Sequence, residues 1–272
     1  MPLKSITIRD PEQRKLKIDI LFEDQNLLVI NKPAGLSVIP DHWIPSLPNL
    51  RDILQNRLEK SDSYSDKKIN IIHQIDSETI GLVLIALTKD MHKLMNEMFS
   101  NNQIEKTYLA IVIGHPPKDE GTINLPIHNN TSRKNMQINK QGKASLTKYK
   151  LLKKYRHFSL LEVKPKTGRT HQIRVHLQAI GCALAVDPLY SHPTTEINIS
   201  HLKHNFRTKQ NEETRPLIKR LTLHASKIVF IDPLSGENHT FEAPLPKDFS
   251  GLLKALNKYN SPNVISANSF RF

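Results

Sequence analysis

Asp76 is the carboxylate whose surroundings ask for an explanation. It sits in Ile71-Ile72-His73-Gln74-Ile75-Asp76-Ser77-Glu78-Thr79-Ile80-Gly81-Leu82-Val83-Leu84-Ile85-Ala86-Leu87, a polar turn between two very apolar runs. The ordinary reading is an Asx-type turn, where Asp is common. The chemical reading needs partners. Tyr108 lies in the nearly all-apolar run Lys106-Thr107-Tyr108-Leu109-Ala110-Ile111-Val112-Ile113, and its phenol needs a polar partner if buried. Arg169 and Arg174 come from a basic segment that follows Pro165 and Gly168. A carboxylate in apolar surroundings tends to protonate, whereas a neighbouring arginine keeps it ionised and nucleophilic. Carboxylate, phenol and arginine together suit chemistry at a sugar or a base without a cofactor.

Other chemistries find less support. There is no glycine-rich phosphate loop and no serine nucleophile elbow. Cys182 is the only cysteine, which excludes an internal disulfide and a thiolate metal cluster. His171 and His176 are five apart, a poor spacing for joint ligands on either a helix or a strand. His201 and His204 have no acid nearby at metal spacing, so no functional metal is expected.

The balance of 39 Lys and Arg against 26 Asp and Glu, a formal charge of +13 over 272 residues, favours a polyanionic partner. Charge alone leaves RNA, DNA and an anionic membrane surface open. No apolar run is long enough to span a bilayer, and Met1-Pro2-Leu3-Lys4-Ser5 lacks the apolar core of a secretion signal, so a cytoplasmic location is expected.

The elements that must position these groups follow from periodicity. Ile18, Ile20 and Phe22 alternate as in a half-buried strand, and Asn26–Ile30 returns after a turn at Glu23-Asp24-Gln25 to make a hairpin. Asn31-Lys32-Pro33-Ala34-Gly35 breaks the ladder, and a proline-punctuated loop, Pro40–Pro48, carries Trp43. Asn49 predicts a capped helix over Leu50–Leu58, Ile69–Ile72 a short strand, Leu82–Leu87 a strand covered on both faces, and Met91–Phe99 a helix. Short β-prone pieces follow at Gly121–Leu125, Asn135–Asn139, Ser145–Leu152 and His157–Val163. They are interleaved with Lys134, Lys140, Lys143, Lys148, Lys150, Lys153, Lys154 and Arg156, the most basic part of the chain. Thr170 is the expected N-cap of a helix through Ile180, ended by Gly181. Ser191–Pro216 reads as a surface insertion or loop, Lys227–Ile231 and His239–Ala243 as a hairpin, and Gly251–Leu256 as a closing helix.

Several ordered motifs then carry a resemblance. Asn31-Lys32-Pro33-Ala34-Gly35, His73-Gln74-Ile75-Asp76 through Gly81-Leu82, Lys106-Thr107-Tyr108-Leu109-Ala110, Gly168-Arg169-Thr170-His171-Gln172-Ile173-Arg174-Val175-His176 and Leu221-Thr222-Leu223-His224-Ala225 resemble the RluA-type family of RNA pseudouridine synthases, in the family's order. The resemblance covers roughly Ile18 to Pro244. It implies an isomerase that converts uridine to pseudouridine in structured ribosomal or transfer RNA without a cofactor. Asp76 would act at the anomeric carbon of the ribose, Arg174 would pair with Asp76, and Tyr108 would stack on the flipped base and help remove the carbon-five proton. Gln74, Lys106, Arg169 and His171 would contact the RNA, whose uridine must leave the stack. The resemblance also implies an α+β fold with a bent, largely antiparallel mixed sheet, flanking helices and a central cleft.

The expected organisation is a peripheral segment over 1–16, a catalytic domain over 17–258 with the insertion at 191–216, a tail over 259–272, and no S4-type RNA-binding module. A monomer is expected. Two positions depart from the family pattern: Gln74 stands where Arg is usual, and Ile80 where a small Ser is usual. The loss of charge at Gln74 supports the alternative of a non-catalytic RNA-binding or chaperone protein that keeps the scaffold.

Overall fold

The computed structural model of the chain describes residues 5–41, 44–60, 68–130, 135–191, 195–203 and 215–262. Trp43, Lys134, His204 and the tail beyond Pro262 lie outside the described residues. The chain divides into two compact units, Met1–Lys106 with Ala225–Pro244, and Thr107–His224 with Leu245–Phe272.

In the first unit, β2 (Lys15–Glu23) and β3 (Leu27–Lys32) form the expected antiparallel hairpin. Asp24 closes its turn, with Oδ1 accepting the N–H groups of Asn26 and Leu27, each at 2.7 Å. An outer strand, β1 (Ser5–Arg9), pairs with β2, where the sequence predicted no strand. β5 (Ile80–Ala86) lies beside β3, and every residue from Gly81 to Ala86 is buried, the signature of a strand covered on both faces. β4 (Asn70–Ile71) pairs with the end of β5 and is shorter than predicted. β12 (Leu223–Ile231) flanks β5 on its other side and pairs with β13 (Asn238–Glu242).

Two helices of this unit have caps written in the sequence. α1 (Leu50–Glu59) begins at Asn49, whose Oδ1 accepts the Asp52 N–H at 3.1 Å. α2 (Lys89–Ser100) is capped by Thr88, and its buried Met91, Met95 and Met98 pack with Leu27, Leu82, Leu84, Ile228 and Phe230. The methionines are core, as their helical spacing predicted.

The second unit contains an antiparallel sheet in the order β6 (Glu105–Ile113), β11 (Phe158–Pro165), β10 (Leu146–Lys154), β7 (Glu120–Asn124). A separate ribbon of β8 (Ile127–Asn130) and β9 (Asn135–Ile138) packs on α3 (Gln172–Ala179) through Ile127, Met136, Ile138, Val175 and Tyr190. The core gathers Ile111, Phe158, Ala185, Val186, Phe249, Leu252 and Leu256. α5 (Lys247–Tyr259), which supplies the last three, is longer at both ends than its sequence signal.

Two expectations require correction. α3 is not capped by Thr170: its first turn opens from His171, which is held at φ 53° and makes no side-chain cap bond. The segment read as a surface loop is partly built into the core. Ile197 bridges Ile218, a short α4 (Ile199–Leu202) follows, and Ile197 and Leu202 are buried with Phe158 and Leu252. Helices and a mixed, largely antiparallel sheet make the fold α+β.

Candidate active site

The Asp76 turn is fixed at its backbone. The Asp76 carbonyl accepts the Thr79 N–H at 3.0 Å, closing the turn, and the Asp76 side chain is only partly buried. Lys32, at the end of β3, is completely buried, and its Nζ donates to three carbonyl oxygens: Ser77 at 2.7 Å, Leu36 at 2.7 Å and Pro33 at 2.9 Å. The Gly35 N–H donates to the same Ser77 oxygen at 3.0 Å. The chain can return this way because Gly35 adopts φ +78°, a conformation costly for residues with a Cβ. The Asn31-Lys32-Pro33-Ala34-Gly35 motif therefore works as a cradle for the residue next to Asp76.

His73 and Gly81 hold the two sides of the turn. The Leu84 N–H donates to His73 Nε2 at 3.0 Å, so the ring proton resides on Nδ1, and the ring stacks on Phe99 with centroids 5.0 Å apart. Lys106 Nζ lies 5.2 Å from the centre of the Phe99 ring. Burial first, and the charge of Lys106 second, pull the His73 pKa down to about 3, so the ring stays neutral. Gly81, at φ +126°, lies against β12: a Cβ there would collide with the Ala225 carbonyl oxygen. Gln74 projects to solvent.

In the second unit, α3 presents Arg174 inward, almost fully buried. Its Nε and Nη2 donate to Asp187 Oδ2 and Oδ1, each at 2.8 Å, a two-pronged ion pair with a carboxylate that has no exposure at all. Asp187 Oδ1 also accepts the N–H groups of Leu189 and Tyr190, at 2.9 and 3.2 Å. The Tyr190 ring lies 5.0 Å from the Arg174 guanidinium carbon. Its hydroxyl accepts the Met136 N–H at 2.9 Å and meets His171 Nδ1 at 3.0 Å. Arg174 is thus gripped along one edge and over one face.

The neighbouring groups fall into structural and exposed classes. Gln172 is saturated: it donates to Leu146 O and Thr147 Oγ1 and accepts from Thr167 Oγ1 and the Arg169 N–H. His176 bridges Thr147 and the Leu125 carbonyl, each at 2.9 Å, and burial lowers its pKa. Arg169 is exposed, with Nε 3.4 Å from the Ala144 carbonyl. Tyr108 is buried on β6, opposite Val163 in register.

Asp76 and Lys106 thus belong to the first unit and Tyr108 and Arg174 to the second. The structure joins His171 to Arg174 through Tyr190. Lys32, His73, Asp187 and Tyr190 were not singled out by sequence reasoning. Two of them carried a signal: Lys32 is a charge ending the apolar run Leu27–Ile30, and Asp187 is an acid directly after the apolar run Ala183–Val186. Among the described residues, no group of three or more His, Cys, Asp or Glu is arranged to hold a metal ion, and no helix is long and apolar enough to cross a membrane.

Comparison with known proteins agrees with these motifs. The family model for RNA pseudouridylate synthase matches residues 26–179, a span that includes Asp76, Tyr108 and Arg174. The chain is 32% identical over 262 residues to a Bacillus subtilis protein named uncharacterized RNA pseudouridine synthase YlyB, covering 93% of this chain and 79% of that one. It is 33% identical over 254 residues to the ribosomal large subunit pseudouridine synthase D of Zymomonas mobilis, covering 90% and 74%. Among solved structures, human RNA pseudouridylate synthase domain containing 4 superposes with a TM-score of 0.67 at 26% identity, over 88% of this chain and 92% of that one. The chain belongs to the RluA-type family of RNA pseudouridine synthases, which are isomerases.

Proposed function

We propose that this protein isomerises uridine to pseudouridine in a structured RNA, ribosomal or transfer, with Asp76 as the catalytic carboxylate and with no cofactor. The supporting observation is the pinned turn: a half-exposed acid whose following carbonyl is held by a buried ammonium and a glycine N–H suits a group that must meet a reacting carbon with little freedom. In this reading Asp76 acts at C1′ of the ribose as the N1–C1′ bond breaks. The freed uracil turns and bonds to C1′ through C5, and the C5 proton leaves. Tyr108 stacks on the extruded base and assists that proton, and Arg174 pairs with Asp76.

Gln74, Lys106, Arg169 and His171 contact the RNA and help offset the few kcal/mol needed to unstack the uridine. The ribosomal RNA choice draws on the printed names of relatives such as the Zymomonas mobilis enzyme. The protein acts as a monomer. The test is to incubate it with total RNA and map pseudouridine. New sites that vanish with Asp76→Ala support the proposal, while unchanged activity in Asp76→Ala rules it out. A protein that retains RNA yet forms no pseudouridine would return the argument to the scaffold alternative raised by Gln74.

A further inference from the structure

The end of β10 carries a bulge. Leu151 pairs with Leu161 and Lys153 with Leu160, so Leu152 is an extra residue. An extra residue interrupts the in-out alternation, and Leu152, Lys153 and Lys154 are exposed in succession.

Other basic groups collect at the same end of the sheet. Lys154 is in register with Ser159, whose Oγ lies 2.9 Å from His115 Nδ1. The Gly114 N–H donates to the His157 carbonyl at 2.8 Å, which sets the two histidine segments side by side. The Tyr155–His157 turn is tied to the end of α5: the Asn260 carbonyl accepts the Arg156 N–H at 2.7 Å, and Asn260 Oδ1 accepts the His157 N–H at 3.0 Å. Next to Asn260, the Tyr259 ring has Lys258 Nζ at 5.2 Å and Lys203 Nζ at 5.9 Å from its centre.

The local field is positive. Burial first and then Lys154 lower the His115 pKa, and burial followed by Arg156 and His115 lowers that of His157. The charged groups that act on both imidazoles are all basic.

We infer that this end of the sheet, built on Lys153, Lys154, Arg156, Lys203 and Lys258, docks the phosphate backbone of the RNA as a second contact apart from the uridine-handling residues. The choice of RNA rests on the function proposed above. Clustered cations on a folded surface gain from releasing the counterions condensed on a polyanion. The contact is also well separated from the chemistry. The patch adjoins the Phe158 end of β11, whereas the Gly168–His176 segment follows its Pro165 end, seven residues further along the strand. At ~3.3 Å per residue the strand spans roughly 23 Å. An A-form RNA arm reaching both places must extend over at least that distance. The patch therefore selects for a folded RNA arm beside the target uridine.

The test compares the wild-type protein with Lys153→Glu/Lys154→Glu/Lys258→Glu, all at exposed positions. The control, Lys60→Glu/Lys68→Glu/Lys93→Glu, makes the same charge change on the other unit. Affinity for a labelled RNA hairpin of about 20 base pairs is measured from roughly 0.05 to 0.4 M salt, with thermal melts to establish folding. The expected result is a loss of at least about tenfold in affinity near 0.1 M salt and a fall of about 2 to 3 in the log–log salt slope for the patch variant. The control should show a much smaller change, and the single-turnover rate at saturating RNA should be unchanged. Affinity and slope equal to those of the control would overturn the inference. So would weakened binding to phosphatidylserine vesicles with RNA binding intact. Because binding is read directly, the outcome stands even if wild-type protein forms no pseudouridine, a result that would refute the catalytic proposal instead.

Discussion

Lys32 Nζ lies 2.7 Å from the main-chain carbonyl oxygen of Ser77, a contact across 45 residues of sequence that ties the end of one strand to the turn bearing Asp76. The ammonium is out of contact with water and is satisfied by main-chain oxygens of Pro33, Leu36 and Ser77. Lys32→Met would match its length and remove its charge, taking the ammonium donor away from three carbonyls, of which Ser77 keeps the Gly35 N–H. A loss of about 2–4 kcal/mol in unfolding free energy is expected, read by urea denaturation. The fraction that stays folded at low temperature should keep most of its activity, because the Gly35 N–H still holds Ser77.

Asp76→Asn keeps the shape of the turn and removes the carboxylate proposed to act at C1′. Pseudouridine formation should fall to the level of RNA incubated alone, while affinity for the same RNA stays within about twofold, because phosphate contacts dominate binding. Nucleotide-resolution mapping together with a binding titration checks both halves of this expectation.

Asp187→Asn tests whether the grip on Arg174 matters for the reaction. With the two-pronged ion pair gone, the arginine loses its fixed direction, and a slowing of kcat by about 10- to 100-fold with little change in KM is expected. The same substitution in an Arg174→Ala background should add almost nothing, since Asp187 acts through that arginine. A further independent loss in the double variant would show a separate role for Asp187.

His73 gives the protein a defined sensitivity to acid. Its pKa in the folded chain is about 3, against 6.5 for an ordinary histidine. The unfolded chain thus takes up a proton near pH 6.5 that the folded chain refuses. The contribution to stability is fully present above that pH and is lost as pH falls toward 3, at up to about 1.4 kcal/mol per pH unit. His73→Gln offers Leu84 an acceptor without titrating. Its unfolding free energy should vary less steeply between pH 6 and 4 than that of the wild type, by up to about one proton's worth.

What could be read from the chain divides along sequence distance. Asn49 and its helix, the Asp24 turn, the methionine face of α2 and the twice-covered β5 are written in neighbouring residues, and each formed where its pattern predicts. The missed features depend on partners brought from elsewhere. Ser5–Arg9 becomes a strand only because β2 offers an edge, and Ile197 leaves the surface only because Ile218 meets it. The error at α3 has the same cause. Gln172 satisfies the Arg169 N–H and Thr167 from inside the helix, so the start is fixed by a buried amide and Thr170 is not needed as a cap. The family motifs pointed to Asp76, Tyr108 and Arg174, but the contacts by which Lys32, His73 and Asp187 hold two of them became visible only in three dimensions.

Cys182 is fully buried just past α3, and burial pushes its thiol pKa up to about 11. A thiol reagent meets almost no thiolate there while the chain is closed, so each labelling event counts one opening of the region that carries Arg174. As the only sulfhydryl in the sequence, it works as a built-in clock: the rate at which it is alkylated, with and without RNA, reports how firmly substrate holds that part of the molecule shut.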